Sequence, residues 1–200
     1  MSTIYLFRHG ITEGNKRRLY YGSSDIPLIE EGIAAINIRK RAKIYPFYYD
    51  IKDFLFVTTD MIRTEQTLFE MYGREVEHKI DPRMREFSFG DFEMKSYEEL
   101  KDREDYQAWI NGDNWRNICP NGESGEIMLN RSLEAMKDYI GKDCFIVCHG
   151  GVIAGLMLTW FPGDETAEHF YAWQPNPCEG YKIEFDEDLK PVKYEKIKLE

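Results

Sequence analysis

The sequence predicts an α/β fold: a mostly parallel central sheet flanked by helices on both faces, with a small inserted cap. Three observations carry this reading. Short apolar runs of strand length alternate with longer segments of helical pattern. The 200 residues, 42% of them hydrophobic and 31% charged, suit a single domain spanning 1–200 with little room for a second. No internal repeat, low-complexity tract or linker divides the chain.

Each element follows from its own stretch. Residues 3–7 (Thr-Ile-Tyr-Leu-Phe), 54–57 (Phe-Leu-Phe-Val) and 144–148 (Cys-Phe-Ile-Val-Cys) are short apolar runs and read as strands. Ile183 and Phe185 alternate with polar neighbours and read as a late strand at the sheet edge. Helices are predicted over 30–44, 61–72, 123–140 and 151–158, with Gly73 and Gly141 stopping the second and third. Between Ile80 and Gly122 the periodicity weakens. Aromatic and charged residues accumulate there, and Asn111-Gly112 and Pro120-Asn121-Gly122 mark turns. Residues 80–122 are therefore read as a partial cap lying over a site.

Composition excludes several partners. The net charge of −10 argues against nucleic acid and anionic membrane, which need an electropositive surface. It still permits an anionic small substrate where a few arginines converge. No apolar run is long enough to span a bilayer, and the first seven residues lack the basic flank of a signal peptide. Cys119, Cys144, Cys148 and Cys178 show no paired spacing for zinc and no small disulfide framework. A reduced, cytoplasmic protein is the simplest account.

Two segments share one layout. Leu6-Phe7-Arg8-His9-Gly10 and Val147-Cys148-His149-Gly150-Gly151 are each an apolar strand ending in His-Gly. In an open parallel sheet, ligands bind beyond the carboxyl ends of the strands. If the two strands are neighbours, His9 and His149 meet there. The helix entered at Gly151 would turn its N-terminal N–H groups toward an anion. A single strand-end histidine is more often an ordinary hydrogen-bonded residue, but two in matched settings are harder to dismiss. His78 and His169 lack such a setting and read as structural. Arg63 follows a third strand, in the first turn of a helix, and its planar fork suits phosphate oxygens. Thr12 and Asn15 lie in the loop after His9, where Thr12 also serves as a helix N-cap. No His-x-His or HExxH spacing supplies a metal site.

At this point the residues resemble a family. Arg8-His9-Gly10-Ile11-Thr12-Glu13-Gly14-Asn15 is similar to the signature of the histidine phosphatase superfamily, in its phosphoglycerate-mutase-like branch, and the resemblance runs the length of the chain. Gly22-Ser23-Ser24-Asp25-Ile26-Pro27-Leu28 resembles the second block, Thr59 to Thr67 the arginine block, Arg85 to Glu93 the acid block, and His149-Gly150-Gly151 the terminal histidine. Two departures stand out: Glu93-Met94 where many relatives have Glu-Gly, and Thr58-Thr59 where they have serines. Within the family, Gly90-Asp91-Phe92-Glu93-Met94, Tyr106-Gln107-Ala108-Trp109 and Pro120-Asn121-Gly122-Glu123 look most like α-ribazole phosphatases.

The resemblance implies roles. His9 would attack phosphorus with a neutral nitrogen, its other nitrogen held by a nearby backbone carbonyl. Arg8, Arg63 and His149 would bind the phosphoryl oxygens, with Asn15 as a neutral donor. Tyr21, Gly22 and Gly150 complete the expected substrate-binding set. Glu86 would act as general acid and then as base. No metal or cofactor is required. The expected partner is a small phosphorylated metabolite, α-ribazole 5′-phosphate being one candidate, and a homodimer stays open. The alternatives are a phosphoglycerate mutase using the same residues and a non-catalytic module that binds phosphorylated ligands. Of the aromatic residues at 87, 89, 92, 97, 106, 109 and 115, most would form the cap's own small core, leaving one or two rings for a planar substrate group.

Overall fold

Side chains alternate across a strand, so a sheet covered on both faces needs apolar residues at every position. The strand beginning at residue 144 meets that demand throughout and the one beginning at residue 2 meets it from Ile4 to Phe7, and the two lie side by side in the sheet. The computed structural model describes residues 1–113, 115–164 and 169–199. Its main sheet has six strands: β1 (Ser2–Arg8), β3 (Leu55–Thr58), β4 (Lys79–Ile80), β6 (Cys144–Cys148), β7 (Gly180–Phe185) and β8 (Pro191–Ile197). Their order is β4-β3-β6-β1-β7-β8. The first four run parallel, β7 is antiparallel to β1, and β8 is antiparallel to β7. A separate antiparallel ribbon joins β2 (Leu19–Tyr20) to β5 (Lys95–Ser96).

The sheet divides two cores. Ile4 and Leu6 of β1, with Ile146 and Cys148 of β6, pack against α7 (Gly125–Met136) and α8 (Gly150–Trp160). Phe7, Phe145 and Val147 face the other way, toward α2 (Glu30–Arg41) and α4 (Ile62–Tyr72), where Ile36, Leu68 and Met71 meet them. Each such aliphatic or aromatic side chain contributes about 1.5–3 kcal/mol on burial. Helix α8 is apolar on nearly every side because it is buried on nearly every side, from Gly150 to Met157.

The expected helices are present with shifted ends. The second stops at Gly73, whose φ of +97° suits glycine. The third is shorter than predicted and ends at Met136 rather than near Gly141. There the ladder tightens: Asp138 N donates to Ala135 O and Tyr139 N to Met136 O, both at 3.0 Å. The buried Tyr139 hydroxyl is drawn out of helical register to donate to Asp81 at 2.6 Å.

Two expectations are corrected. Ile183 and Phe185 lie in β7, which is interior, and β8 forms the edge. The polar sequence of β8 hid it, since an edge strand with one wet face buries little. The aromatics of residues 80–122 do not form a core of their own. Phe92, Tyr106 and Trp109 join the same cluster as Ile4 and Leu6. The segment itself is built from two tight turns (Pro82–Met84 and Gly90–Phe92), β5, α5 (Tyr97–Leu100) and α6 (Glu104–Ile110). Three further short helices, α1 (Glu13–Lys16), α3 (Tyr48–Ile51) and α9 (Phe170–Trp173), are too brief to leave a periodic signal. Among the described residues no helix is long and apolar enough to cross a membrane.

Met94 has a φ of +59°, a left-handed conformation that costs a residue with a side chain about 1 kcal/mol. This explains why glycine suits that position. Met94→Gly is expected to raise stability by up to about 1 kcal/mol in urea denaturation. A loss of stability would show that the methionine side chain contributes more by packing than its backbone costs.

Candidate active site

Parallel pairing places Arg8 opposite Cys148, and His9 N donates to Cys148 O at 3.0 Å. The residues that follow therefore leave the sheet side by side. The His9 and His149 rings lie 5.3 Å apart, inclined at 64°. Strand β3, next to β6, ends at Thr58 and leads into α4, which carries the fully buried Arg63. Arg8, His9, Asn15, Tyr21, Arg63 and Glu86 share one cleft of about 760 Å³. His149 lies against His9 and is fully buried.

His9 is held as a neutral imidazole. Its Nδ1 donates to its neighbour Gly10 O at 2.7 Å, so the proton sits on Nδ1 and Nε2 keeps its lone pair. Burial pulls the His9 pKa well below the usual histidine value, and the Arg63 and Arg8 charges pull it further. Thr67 fixes the turn by accepting from Gly10 N at 2.8 Å and donating to Arg63 O at 2.6 Å. His149 is neutral for the same reasons, burial first, then Arg63. Its Nε2 lies 2.9 Å from Thr59 Oγ1. The neighbouring Thr64 hydroxyl donates to Met61 O, which leaves the Thr59 proton for His149 or, at a longer 3.2 Å, for Thr64. When Thr59 donates to Nε2, His149 carries its proton on Nδ1.

The arginines are anchored by main-chain carbonyls. Arg8 donates from Nη1 to Pro175 O at 2.9 Å. Arg63 donates from Nη1 to Ser24 O at 2.8 Å and from Nη2 to Gly22 O at 2.6 Å, and lies 5.2 Å from the centre of the Tyr21 ring. Among the described residues, Arg8 Nε, Arg63 Nε and His149 Nδ1 are buried here without a protein partner, as is Trp109 Nε1 elsewhere along the cleft. Buried polar groups are normally satisfied. A concentration of unsatisfied ones around a neutral imidazole is a place prepared for an anion.

Glu86 sits at the N terminus of α8. Its Oε2 accepts from Gly151 N at 2.8 Å and its Oε1 from Phe87 N at 3.0 Å. The acceptor at that helix end is thus the Glu86 side chain, which takes the place of the ligand expected there. A side chain at Gly151 would place Cβ 2.4 Å from Glu86 Oε1, so glycine lets the Glu86 carboxyl keep this position. Arg131 holds the backbone beneath, donating to the carbonyls of Arg83, Arg85 and Glu86 while its fork grips Glu123. Asn15 caps α1 together with Thr12, its Oδ1 accepting from Thr12 N at 3.0 Å. Tyr21 OH accepts from Thr12 Oγ1 at 2.7 Å.

Gly22 and Gly150, like His149, lie behind the residues that line the cleft. A Cβ on Gly22 would lie 1.7 Å from Phe87 O, and one on Gly150 would lie 3.0 Å from Arg8 Cζ. They make room for the groups around the site. Sequence reasoning missed Thr67, Arg131 and the cleft wall formed by Phe170 of α9. Thr67 and Arg131 act on main-chain atoms, which leave no spacing pattern. His78 pairs with Glu65 at 2.7 Å, and His169 caps α9, so both serve the scaffold.

Two expected outcomes follow from this geometry. Thr59→Val keeps the shape but removes the hydroxyl that orients His149. It is expected to weaken inhibition by inorganic phosphate about tenfold, with Thr59→Ser restoring it. Unchanged phosphate affinity in the valine variant would rule out that role. The second concerns pH. Both buried histidines have folded pKa values below the unfolded value of about 6.5. Below that value the unfolded chain binds more protons, so stability is present above it and is lost as pH falls. The urea midpoint should drop between about pH 7 and about pH 5, and replacing both histidines by asparagine should flatten that part of the slope.

The chain matches the profile of the histidine phosphatase superfamily (branch 1) over residues 4–196. The Adenosylcobalamin/alpha-ribazole phosphatase of Salmonella typhimurium is 32% identical over 165 residues, covering 77% of each chain. A Cronobacter sakazakii protein named "Probable phosphoglycerate mutase GpmB" is 30% identical over 169 residues, covering 80% of this chain and 74% of that one. The solved alpha-ribazole phosphatase from Shigella flexneri superposes with a TM-score of 0.77 at 25% identity, over 95% of this chain and 93% of that one. With the profile, the relatives and the paired strand-end histidines in agreement, the chain belongs to the histidine phosphatase superfamily.

Proposed function

We propose that this protein is a phosphomonoesterase that carries its substrate's phosphoryl group on His9. The observation that carries the reading is the neutral His9, its Nε2 free, surrounded by three buried donors with no protein partner. Nε2 attacks phosphorus as the bond to the ester oxygen breaks, and Glu86 delivers a proton to the leaving oxygen. Water then attacks the phosphohistidine while Glu86 takes a proton back, releasing phosphate and regenerating His9. Arg8, Arg63 and His149 compensate the charge on the phosphoryl oxygens throughout, and Asn15 and Tyr21 add neutral donors. The positive charge comes from arginine, and no metal or cofactor takes part in this scheme.

The leaving group occupies the rest of the cleft. Tyr20, Phe87, Phe89, Trp109, Trp115 and Phe170 line it. Residues 80–122 act as a partial cap on this space, and their rings favour a substrate with a planar group. Together with the relatives named for it, this makes α-ribazole 5′-phosphate the leading candidate substrate. The four cysteines are buried free thiols, which supports a reducing, cytoplasmic setting.

One set of assays tests the proposal. α-Ribazole 5′-phosphate, 3-phosphoglycerate and a simple sugar phosphate are compared at equal concentrations, with mutase activity followed in parallel. The expected result is the highest kcat/KM on the first, acid-labile and base-stable phosphate on His9 after quenching, and no turnover by a folded His9→Ala variant. Efficient interconversion of phosphoglycerates with little phosphate release would establish the mutase reading instead. Turnover surviving in His9→Ala would overturn covalent catalysis.

A further inference from the structure

Arg63 spends both terminal nitrogens on one short loop, through the carbonyls of Gly22 and Ser24. The other side of that loop is held by a single carboxylate. Glu93 accepts from the N–H groups of Gly22, Ser23 and Ser24 at 3.0–3.1 Å and from Ser24 Oγ at 2.6 Å. It also accepts from Phe89 N at 3.0 Å, which leaves it saturated. One peptide unit lies directly between the two charges: the Gly22 carbonyl receives Arg63 Nη2 while the adjoining Ser23 N–H points at Glu93 Oε1. A carboxylate and a guanidinium at opposite ends of a peptide dipole polarise it in the same sense and strengthen both hydrogen bonds. Gly22 also packs so closely on Phe87 O that no side chain fits there.

We propose that Glu93 is a positioning residue for the phosphoryl site: through the Gly22–Ser24 peptides it fixes the Arg63 guanidinium with Nε turned to the bound anion. This rests on the reading of Arg63 as a phosphoryl ligand. Glu93 touches no substrate, and it does not line the cleft. Burial pushes its carboxyl pKa up, but the hydrogen bonds from Ser24, Ser23, Phe89 and Gly22 outweigh this and keep it ionised. With the charge lost, Arg63 retains its carbonyl partners but loses the tension that orients them. The cost falls on anion binding.

The test is a double-mutant cycle on the full chain, with Glu93→Gln and Arg63→Lys alone and together. The readouts are Ki for inorganic phosphate and orthovanadate, with KM and kcat on p-nitrophenyl phosphate. Phe185→Leu, at the far end of β7, is a control for lost stability. Glu93→Gln is expected to raise both Ki values about tenfold or more while kcat falls less, and to add little in the Arg63→Lys background. Glu93→Asp should recover part of the affinity, and the control should leave Ki unchanged. If the two changes add independently, or if kcat falls with Ki unchanged, the inference is wrong and Glu93 serves the Phe89 side alone. If Arg63→Lys itself leaves Ki unchanged, the phosphoryl-site reading fails first. Should Glu93→Gln not fold, Ser24→Ala, which removes only one hydroxyl donor, must raise Ki in the same direction for the inference to stand.

Discussion

Two guanidinium groups stand beside two buried imidazoles at the floor of the cleft, and the rest of the site depends on how that charge is tolerated. A buried cation costs several kcal/mol unless it is paired or hydrogen-bonded. Arg63 is fully buried and forms no ion pair among the described residues, so carbonyl oxygens bear the compensation. The histidines respond by staying neutral. The chemistry needs the same thing, because only a neutral imidazole is nucleophilic. The electrostatic requirement for folding and the requirement for attack on phosphorus therefore coincide.

The compensation is incomplete by design of the geometry. Arg8 Nε, Arg63 Nε and His149 Nδ1 are buried without partners, a state that a tetrahedral oxyanion relieves. Buried donors of this kind cost free energy until they are paired, and a ligand that pairs them stabilises the fold. The scaffold that bears it is ordinary. Two apolar cores sandwich a central pair of parallel strands, and β3 is pinned to β6 from Leu55 to Val57. The site hangs from the carboxyl ends of these central paired strands.

Much of this was legible in the sequence because it rests on periodicity and on strand ends. The runs at residues 4–7 and 144–148 carry no charged or small polar residue, which marks covered strands, and each leads into His-Gly. The β7–β8 pair was read only in part. Pro191 to Ile197 is an edge strand whose polar alternation resembles a loop. Around the site, the residues that touch an anion could be named from their types and order. Those that steady them could not. Thr67, Arg131 and Glu93 act by hydrogen bonds to peptide groups, and any residue offers a peptide group. Gly22 and Gly150 stand in motifs, and their close packing on Phe87 and Arg8 is a second reason for glycine that no motif reveals.

The ribbon between β2 and β5 has a further consequence. Leu19 pairs with Ser96 and Tyr20 with Lys95, so the chain leaving the His9 turn is stitched to the segment that overhangs the cleft. Met94 N, at the start of that segment, also donates to Tyr20 O at 2.7 Å. A cover fastened to the floor in this way does not swing as a hinged lid does. Under the proposed function, substrates would then meet an opening whose outline the ribbon helps to hold, and size and shape would weigh in discrimination. Changes of preference among descendants of such an enzyme would then accumulate as substitutions on the walls of the aperture, while the stitching and the floor stay untouched.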